Sequence, residues 1–286
     1  MRGHLLLSLT LLLPAIAQED PGVAGPVAFD RVRLDVAVDG GPTWFELHLP
    51  RAPGPRPTVV ICHGWAANAA KFRATAEHLA SRGMVVASFQ QTSPNGSSTP
   101  RWARELRQGI DALLRANASP ASALRGRIDP TRLALLGHSY GAAACVVVAS
   151  EDPTIGALVC WAPVNQPHKE LLMERAARVR APLLVITGQL DPLARTNCYA
   201  RPVYLRATAA PRREFLEVFW AGHDFYVKKG EKPLLARRHT IAWIERAFGL
   251  RGEDEWTDGR AAAGEEKRWL LCKQERVFAS LSSAID

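Results

Sequence analysis

Several short stretches of this chain hold residues whose types and spacing suit nucleophilic attack on a carbonyl. The sharpest is Gly137-His138-Ser139-Tyr140-Gly141, a G-x-S-x-G pattern that follows the apolar run Leu133-Ala-Leu-Leu and precedes Ala142-Ala-Ala. Small residues flanking a serine in this way let a strand turn abruptly into a helix and leave the hydroxyl exposed on a strained turn. A serine hydroxyl is a weak nucleophile until a base takes its proton, and the base needs a buried carboxylate to hold its tautomer. In a strand–turn–helix setting the partners follow in the order serine, acid, histidine, each on a loop just after a strand. Asp191 fits as the acid, because it ends the buried run and glycine turn Leu183-Leu-Val-Ile-Thr-Gly188-Gln-Leu-Asp191. A turn or helix-cap aspartate before Pro192 is the plainer reading of the same residue. Asp152 follows a helix rather than a strand, and Asp224 adjoins the base and points elsewhere. His223 fits as the base, after the strand-like run Glu217-Val-Phe-Trp and the turn Ala221-Gly222. Among the other histidines, His78 and His239 read as surface residues of helices and His138 as a packing residue beside the nucleophile. His168 precedes the acid in the chain. His63 belongs to Val59-Val-Ile-Cys-His63-Gly64-Trp65, a strand ending in a His-Gly turn. Backbone N–H groups there can face a developing oxyanion, so the hole is assigned to the N–H of Trp65 and of Tyr140. His63 is expected to brace that turn.

These residues need a scaffold that brings strand ends together. Phe29 to Val38 and Trp44 to Leu49 alternate apolar and polar residues around a Gly-Gly turn and read as an antiparallel hairpin. Thr58–Cys62 is a continuous apolar run of the kind buried on both faces of a parallel sheet, Met84–Phe89 reads as the next buried strand, and Arg132–Leu136, Ala157–Trp161, Leu183–Thr187 and Phe215–Phe219 read as further strands. Helical stretches alternate with them: 69–81, 101–115, 140–149, 171–178, 198–207 and 234–248. That alternation predicts an α/β fold with a mostly parallel central sheet, helices on both faces and an active site at the carboxyl ends of the strands.

Length and composition fit one such domain with short appendages: 286 residues, of which 47% are apolar. Arg2, the apolar run Leu5 to Leu13 and Ala15-Ile-Ala17 read as a cleavable export leader over 1–17, too short to span a bilayer and so no stable membrane anchor. A secreted or periplasmic location follows. Residues 18–28 read as a flexible lead-in, 29–249 as the catalytic domain and 250–286 as a charged appendage whose stretch 265–281 could form one last helix. Five cysteines leave at least one unpaired. Cys62, Cys145 and Cys160 lie in apolar runs as small hydrophobes, while Cys198 and Cys272 either form one bridge or stay free. The formal charge of +8 is spread along the chain without aromatic interleaving, which argues against nucleic acid as a partner. The histidines lack ligand-like spacing, so no metal or organic cofactor is expected. A monomer acting on a small or polymeric ester is expected.

Together, His63-Gly64-Trp65, Gln91-Thr92, the run from Arg127 to Gly141, Ala162-Pro163, Thr187-Gly-Gln-Leu-Asp191 and Gly222-His223 resemble the α/β-hydrolase superfamily. More narrowly the chain is similar to dienelactone-hydrolase-like serine esterases near the bacterial cutinases and polyester hydrolases, over roughly residues 30 to 249. The resemblance maps Ser139, Asp191 and His223 onto the catalytic triad and Trp65 and Tyr140 onto the oxyanion donors. It implies a secreted carboxylic ester hydrolase, with Trp65, Tyr140, Trp161, Val164 and Phe225 as candidates to line the substrate cleft. Two positions depart from the family pattern: Val164 stands where an aromatic wall is usual, and Tyr140 where methionine is common. The family's paired C-terminal cysteines are not reproduced in the same places. A peptidase or amidase, an acyltransferase, or an inactive binding module on the same fold are the competing expectations.

Overall fold

The computed structural model describes residues 20–96, 98–166, 168–252 and the backbone of 270–277. The expected leader lies outside these residues. The strands are β1 (Phe29–Val38), β2 (Gly41–Pro50), β3 (Arg56–Cys62), β4 (Val85–Phe89), β5 (Ile128–His138), β6 (Ile155–Trp161), β7 (Leu183–Gly188), β8 (Arg212–Val218) and β9 (Leu270–Val277). Between them lie α1 (Arg73–Ser81), α2 (Thr99–Ala118), α3 (Tyr140–Glu151), α4 (Lys169–Ala176), α5 (Ala200–Arg206) and α6 (Glu231–Ala247).

The nine strands among the described residues join one sheet in the order β1-β2-β4-β3-β5-β6-β7-β8-β9. The centre, from β4 to β8, is parallel. Its strands are Val, Leu and Ile runs with nearly every side chain buried, because helices cover both faces. β1 pairs antiparallel with β2 from Phe29↔Pro50 to Val38↔Gly41, which is the hairpin read from the alternation. β1 buries one face only, so its residues alternate between half-buried and exposed. α3 runs through the interior and is buried from Gly141 to Ala149. That demands an almost wholly apolar helix of small residues, which Ala142-Ala-Ala-Cys-Val-Val-Val-Ala supplies.

Two expectations about the chain's ends are corrected. The stretch 265–281 forms no helix where it is described. Leu270–Val277 is instead β9, antiparallel to β8 in a register that pairs Arg212 with Val277 and Glu217 with Cys272. Without it the outer edge of β8 would present a row of unpaired backbone groups, and pairing overrides local helix propensity. The lead-in is also tied down from residue 20. Val27 N–H donates to the Ser81 carbonyl (2.9 Å), Gly25 N–H to Ser81 Oγ (3.0 Å), and Asp20 pairs with Arg238 at 2.8 Å. Cys62, Cys145, Cys160 and Cys198 form no disulfide among the described residues, and the side chain of Cys272 lies outside them. No helix among the described residues is long and apolar enough to cross a membrane.

Candidate active site

β5 delivers Ser139 into a turn with φ 56° and ψ −125°, a conformation an L-residue adopts only under constraint. The constraint is close packing. A Cβ on Gly141 would fall 2.2 Å from the His63 carbonyl oxygen and 2.3 Å from that of Cys62. A glycine there lets α3 pass against the end of β3, which places the His63-Gly64-Trp65 turn beside the serine. Gly64 is pressed just as closely, since its absent Cβ would lie 2.8 Å from Ser139 Cβ.

Asp191 and His223 arrive from neighbouring strand ends. Leu190 N–H donates to the Ala221 carbonyl at 2.9 Å and Gln189 N–H to that of Val218 at 3.0 Å, so the loops after β7 and β8 are stitched together. His223 Nδ1 lies 2.7 Å from Asp191 Oδ2, and His223 Nε2 lies 3.0 Å from Ser139 Oγ. Asp191 Oδ1 accepts the N–H groups of Leu193 (2.9 Å) and Ala194 (2.7 Å), which leaves Oδ2 to the histidine. The Asp191 side chain is fully buried, while His223 and Ser139 keep a small exposed fraction. The rival acids are used elsewhere. Asp152 caps its own turn through Thr154 and pairs with Arg107, and Asp224 pairs with Lys71 at 2.8 Å.

The His63-Gly64-Trp65 turn is equally fixed. His63 is buried, its Nδ1–H donates to the Gly64 carbonyl (2.8 Å), and its Nε2 accepts the Gln91 N–H (3.2 Å). Burial pushes this imidazole down to about 4, so it is a neutral brace of the turn. Tyr140 opens α3, so its N–H has no intrahelical acceptor. Among the described residues neither it nor the Trp65 N–H has a backbone acceptor. Non-glycine residues with positive φ cluster at the same end of the sheet: Ala66, Ser139, Ala162 and Trp220.

A model of PET hydrolase-like proteins matches residues 25–256, which span strands β1 to β8 and every residue of this constellation. The chain belongs to the PET hydrolase-like family. This membership makes it a carboxylic ester hydrolase on the α/β-hydrolase fold. It is similar to cutinase 2 of Thermobifida cellulosilytica, 30% identical over 200 residues that cover 70% of this chain and 71% of the relative. It is 30% identical to cutinase cut1 of Thermobifida fusca over 70% of this chain and 59% of that protein. A bis(hydroxyethyl) terephthalate hydrolase of Streptomyces coelicolor is 28% identical over 66% of this chain and 56% of its own length.

The cleft candidates separate in this PET hydrolase-like structure. Trp65 is 55% exposed, with its indole N–H on the Asn95 carbonyl at 2.8 Å. Tyr140 is half-buried and its hydroxyl donates to the Gln166 carbonyl at 2.7 Å. Trp161 is a correction: as the last residue of β6 it turns into the core, stacked on Tyr226 at 4.7 Å and bonded to Thr240 at 3.1 Å. Val164 is buried too, under the serine turn, with its N–H 3.4 Å from the Ser139 carbonyl. Phe225 is nearly buried but lines a cavity of about 510 Å³ with Trp220, Gly222 and Lys228. His239 is likewise not a surface residue, being buried 3.5 Å from Glu214. Residues not singled out in the sequence surround the site instead. Leu190 and Leu193 flank Asp191 and are 54% and 59% exposed, and Trp220 just before His223 is 65% exposed. Large apolar residues beside the candidate polar residues, on loops that have no core to fill, are the signal that marks them.

Proposed function

We propose that this chain is a secreted serine esterase of polymeric esters, in which Ser139, His223 and Asp191 act as nucleophile, base and orienting acid. The observation that carries the reading is the unbroken line from Ser139 Oγ through His223 Nε2 (3.0 Å) and Nδ1 to Asp191 Oδ2 (2.7 Å). A carboxylate acceptor at Nδ1 holds the proton there and leaves the Nε2 lone pair facing the hydroxyl.

In this mechanism His223 takes the Ser139 proton as Oγ attacks the ester carbonyl. The oxygen that gains charge sits between the Trp65 and Tyr140 N–H groups. Losing one such donor typically costs about 3 kcal/mol of transition-state stabilisation. Collapse expels the alcohol, protonated by His223, and leaves an acyl-serine. Water, deprotonated by the same imidazole, then releases the acid. The rim formed by Trp65, Leu190, Leu193 and Trp220 supports an extended, apolar substrate that lies across the mouth. The names of the cutinase and terephthalate-ester hydrolase relatives support the same substrate class. Export rests on the leader pattern of residues 1–17.

Hydrolysis of a nitrophenyl ester series from acetate to palmitate, with a polyester film beside it, tests this function. Turnover of soluble esters and film by the parent chain, and none by Ser139→Ala, is expected. A folded chain inactive on all of them refutes the reading, and faster cleavage of aminoacyl anilides would assign it to amide substrates instead.

A further inference from the structure

His138, the variable residue of the serine turn, is polar, fully buried and unused by acyl transfer. Its ring centroid lies 4.7 Å from that of His223. Its Nε2 is 3.0 Å from the His223 carbonyl oxygen, which can only accept, so the ring carries its proton on Nε2. Among the described residues its Nδ1 has no hydrogen-bond partner, and it faces Gly64, where a Cβ would lie 3.0 Å away. The rings of Phe72 and Tyr226 close the other sides, at 5.3 and 5.5 Å. The next residue along, Asp224, is held by Lys71. Its Oδ1 lies 2.8 Å from Lys71 Nζ and 3.7 Å from His138 Nε2. Lys71 belongs to the 3-10 turn Ala69–Phe72, which follows the His63-Gly64-Trp65 turn.

We propose that His138 and Lys71 form a clasp on the His223-Asp224 dipeptide, with His138 as a positioning residue that fixes the catalytic histidine through its backbone carbonyl. The proposal rests on the serine-esterase reading and adds a reason for the histidine inside G-x-S-x-G. His223 projects from a loop, and a loop places a side chain only as well as its backbone is held. The His138 bond anchors that backbone to the serine turn itself, and the Lys71 bond anchors it to the oxyanion side. All three catalytic loops are thereby tied across the site.

The clasp works only with a neutral His138. A proton on Nδ1 would place a second cation beside the imidazolium that His223 becomes during catalysis. The surroundings prevent it. Burial opposes the charge, as do His223 and Lys71. The His223 carbonyl that accepts from Nε2 and the Asp224 carboxylate favour it, and Tyr226 directs its hydroxyl to the Ile186 carbonyl. Burial first, then these charges, push His138 down to about 3.

The test compares His138→Leu, which removes the donor but keeps apolar bulk, with His138→Gln, which keeps an N–H at a similar reach, and with Lys71→Met. Misplacing a reacting group by about 1 Å costs up to roughly 100-fold. His138→Leu is therefore expected to lose about 10- to 100-fold in kcat on nitrophenyl acetate, with KM changed less than about twofold. His138→Gln should recover much of that loss, and Lys71→Met should lose about three- to tenfold in kcat alone. Parent-like kcat in His138→Leu, or equal losses in the leucine and glutamine variants, overturns the proposal. If His138→Leu does not fold, Lys71→Met decides, and an unchanged kcat there overturns the clasp. Esterase activity surviving in Ser139→Ala would instead sink the underlying serine reading, so the two failures are distinguishable.

Discussion

Replacing Asp191 by asparagine isolates the orienting function of the carboxylate, because the structure dictates which way the amide must face. Oδ1 of Asp191 accepts two backbone N–H groups, from Leu193 at 2.9 Å and Ala194 at 2.7 Å. An asparagine must keep its carbonyl oxygen at that position, since an NH₂ there would face two donors and leave buried groups unpaired. Its NH₂ then occupies the place of Oδ2, 2.7 Å from His223 Nδ1. A donor in front of Nδ1 forces that nitrogen to accept and moves the imidazole proton to Nε2. The Nε2–H then points at Ser139 Oγ and cannot take its proton. Volume and hydrogen-bond count hardly change, so the fold should persist with a thermal midpoint near that of the parent. The chemical step should not persist. A wrong tautomer in such a relay lowers kcat by about 10⁴-fold, roughly 5 kcal/mol of barrier. Steady-state hydrolysis of nitrophenyl butyrate measures this, with circular dichroism confirming the fold. A well-folded Asp191→Asn within tenfold of the parent kcat would refute the idea that Asp191 acts by setting the tautomer.

Three further outcomes follow from other parts of the molecule. Gly64→Ala places a methyl 2.8 Å from Ser139 Cβ and 3.0 Å from His138 Nδ1, so the oxyanion turn must retreat. A loss of about 100-fold in kcat/KM, with about 1–3 kcal/mol of destabilisation in urea titration, is expected, and a parent-like rate would show that the turn has slack. Acid should weaken the fold through buried histidines: burial lowers His48 and His63 to about 4 and His138 to about 3. The unfolded chain binds protons below about pH 6.5 while the folded chain refuses them, so stability is full above that pH and declines towards pH 4. Each of these histidines contributes on the order of 2 kcal/mol by pH 5, and urea midpoints that stay flat from pH 7 to 5 would contradict this. Leu193→Ser and Trp220→Ser should lower release of products from a polyester film at least about threefold while leaving nitrophenyl acetate kinetics unchanged, because their side chains are exposed at the rim. Equal effects on both substrates would place them in the chemistry rather than in surface contact.

The constellation was legible in the sequence because each member sits where an apolar run ends in a small-residue turn, and strand ends of a parallel sheet converge. That local pattern picks out Ser139, Asp191 and His223, whose side chains lie within hydrogen-bond reach of one another. The cleft walls were not. Trp161 looks like an ideal lining residue by type and position, yet the alternation along β6 sends it under Tyr226 and Thr240. Which face a strand-end side chain takes depends on a neighbouring layer that no local pattern encodes. The exposed Leu190, Leu193 and Trp220 were missed for the converse reason, since apolar residues near strands are ordinarily assigned to the core. His239 was misread because α6 packs the face that carries it against the sheet. At the C-terminus, 265–281 has helix-forming residues, but the open edge of β8 rewards an added strand across Leu270–Val277. The partner that decided the outcome lies more than 50 residues away in the chain.

The most direct measurement of the proposed relay is covalent capture of its nucleophile. The folded, full chain is treated with a fluorophosphonate, and its intact mass and proteolytic peptides are read by mass spectrometry. One adduct per chain is expected, on the peptide carrying Ser139, absent in Ser139→Ala and formed far more slowly in His223→Ala. A folded chain that takes no label, or a Ser139→Ala variant that is labelled as fast as the parent, would contradict the assignment.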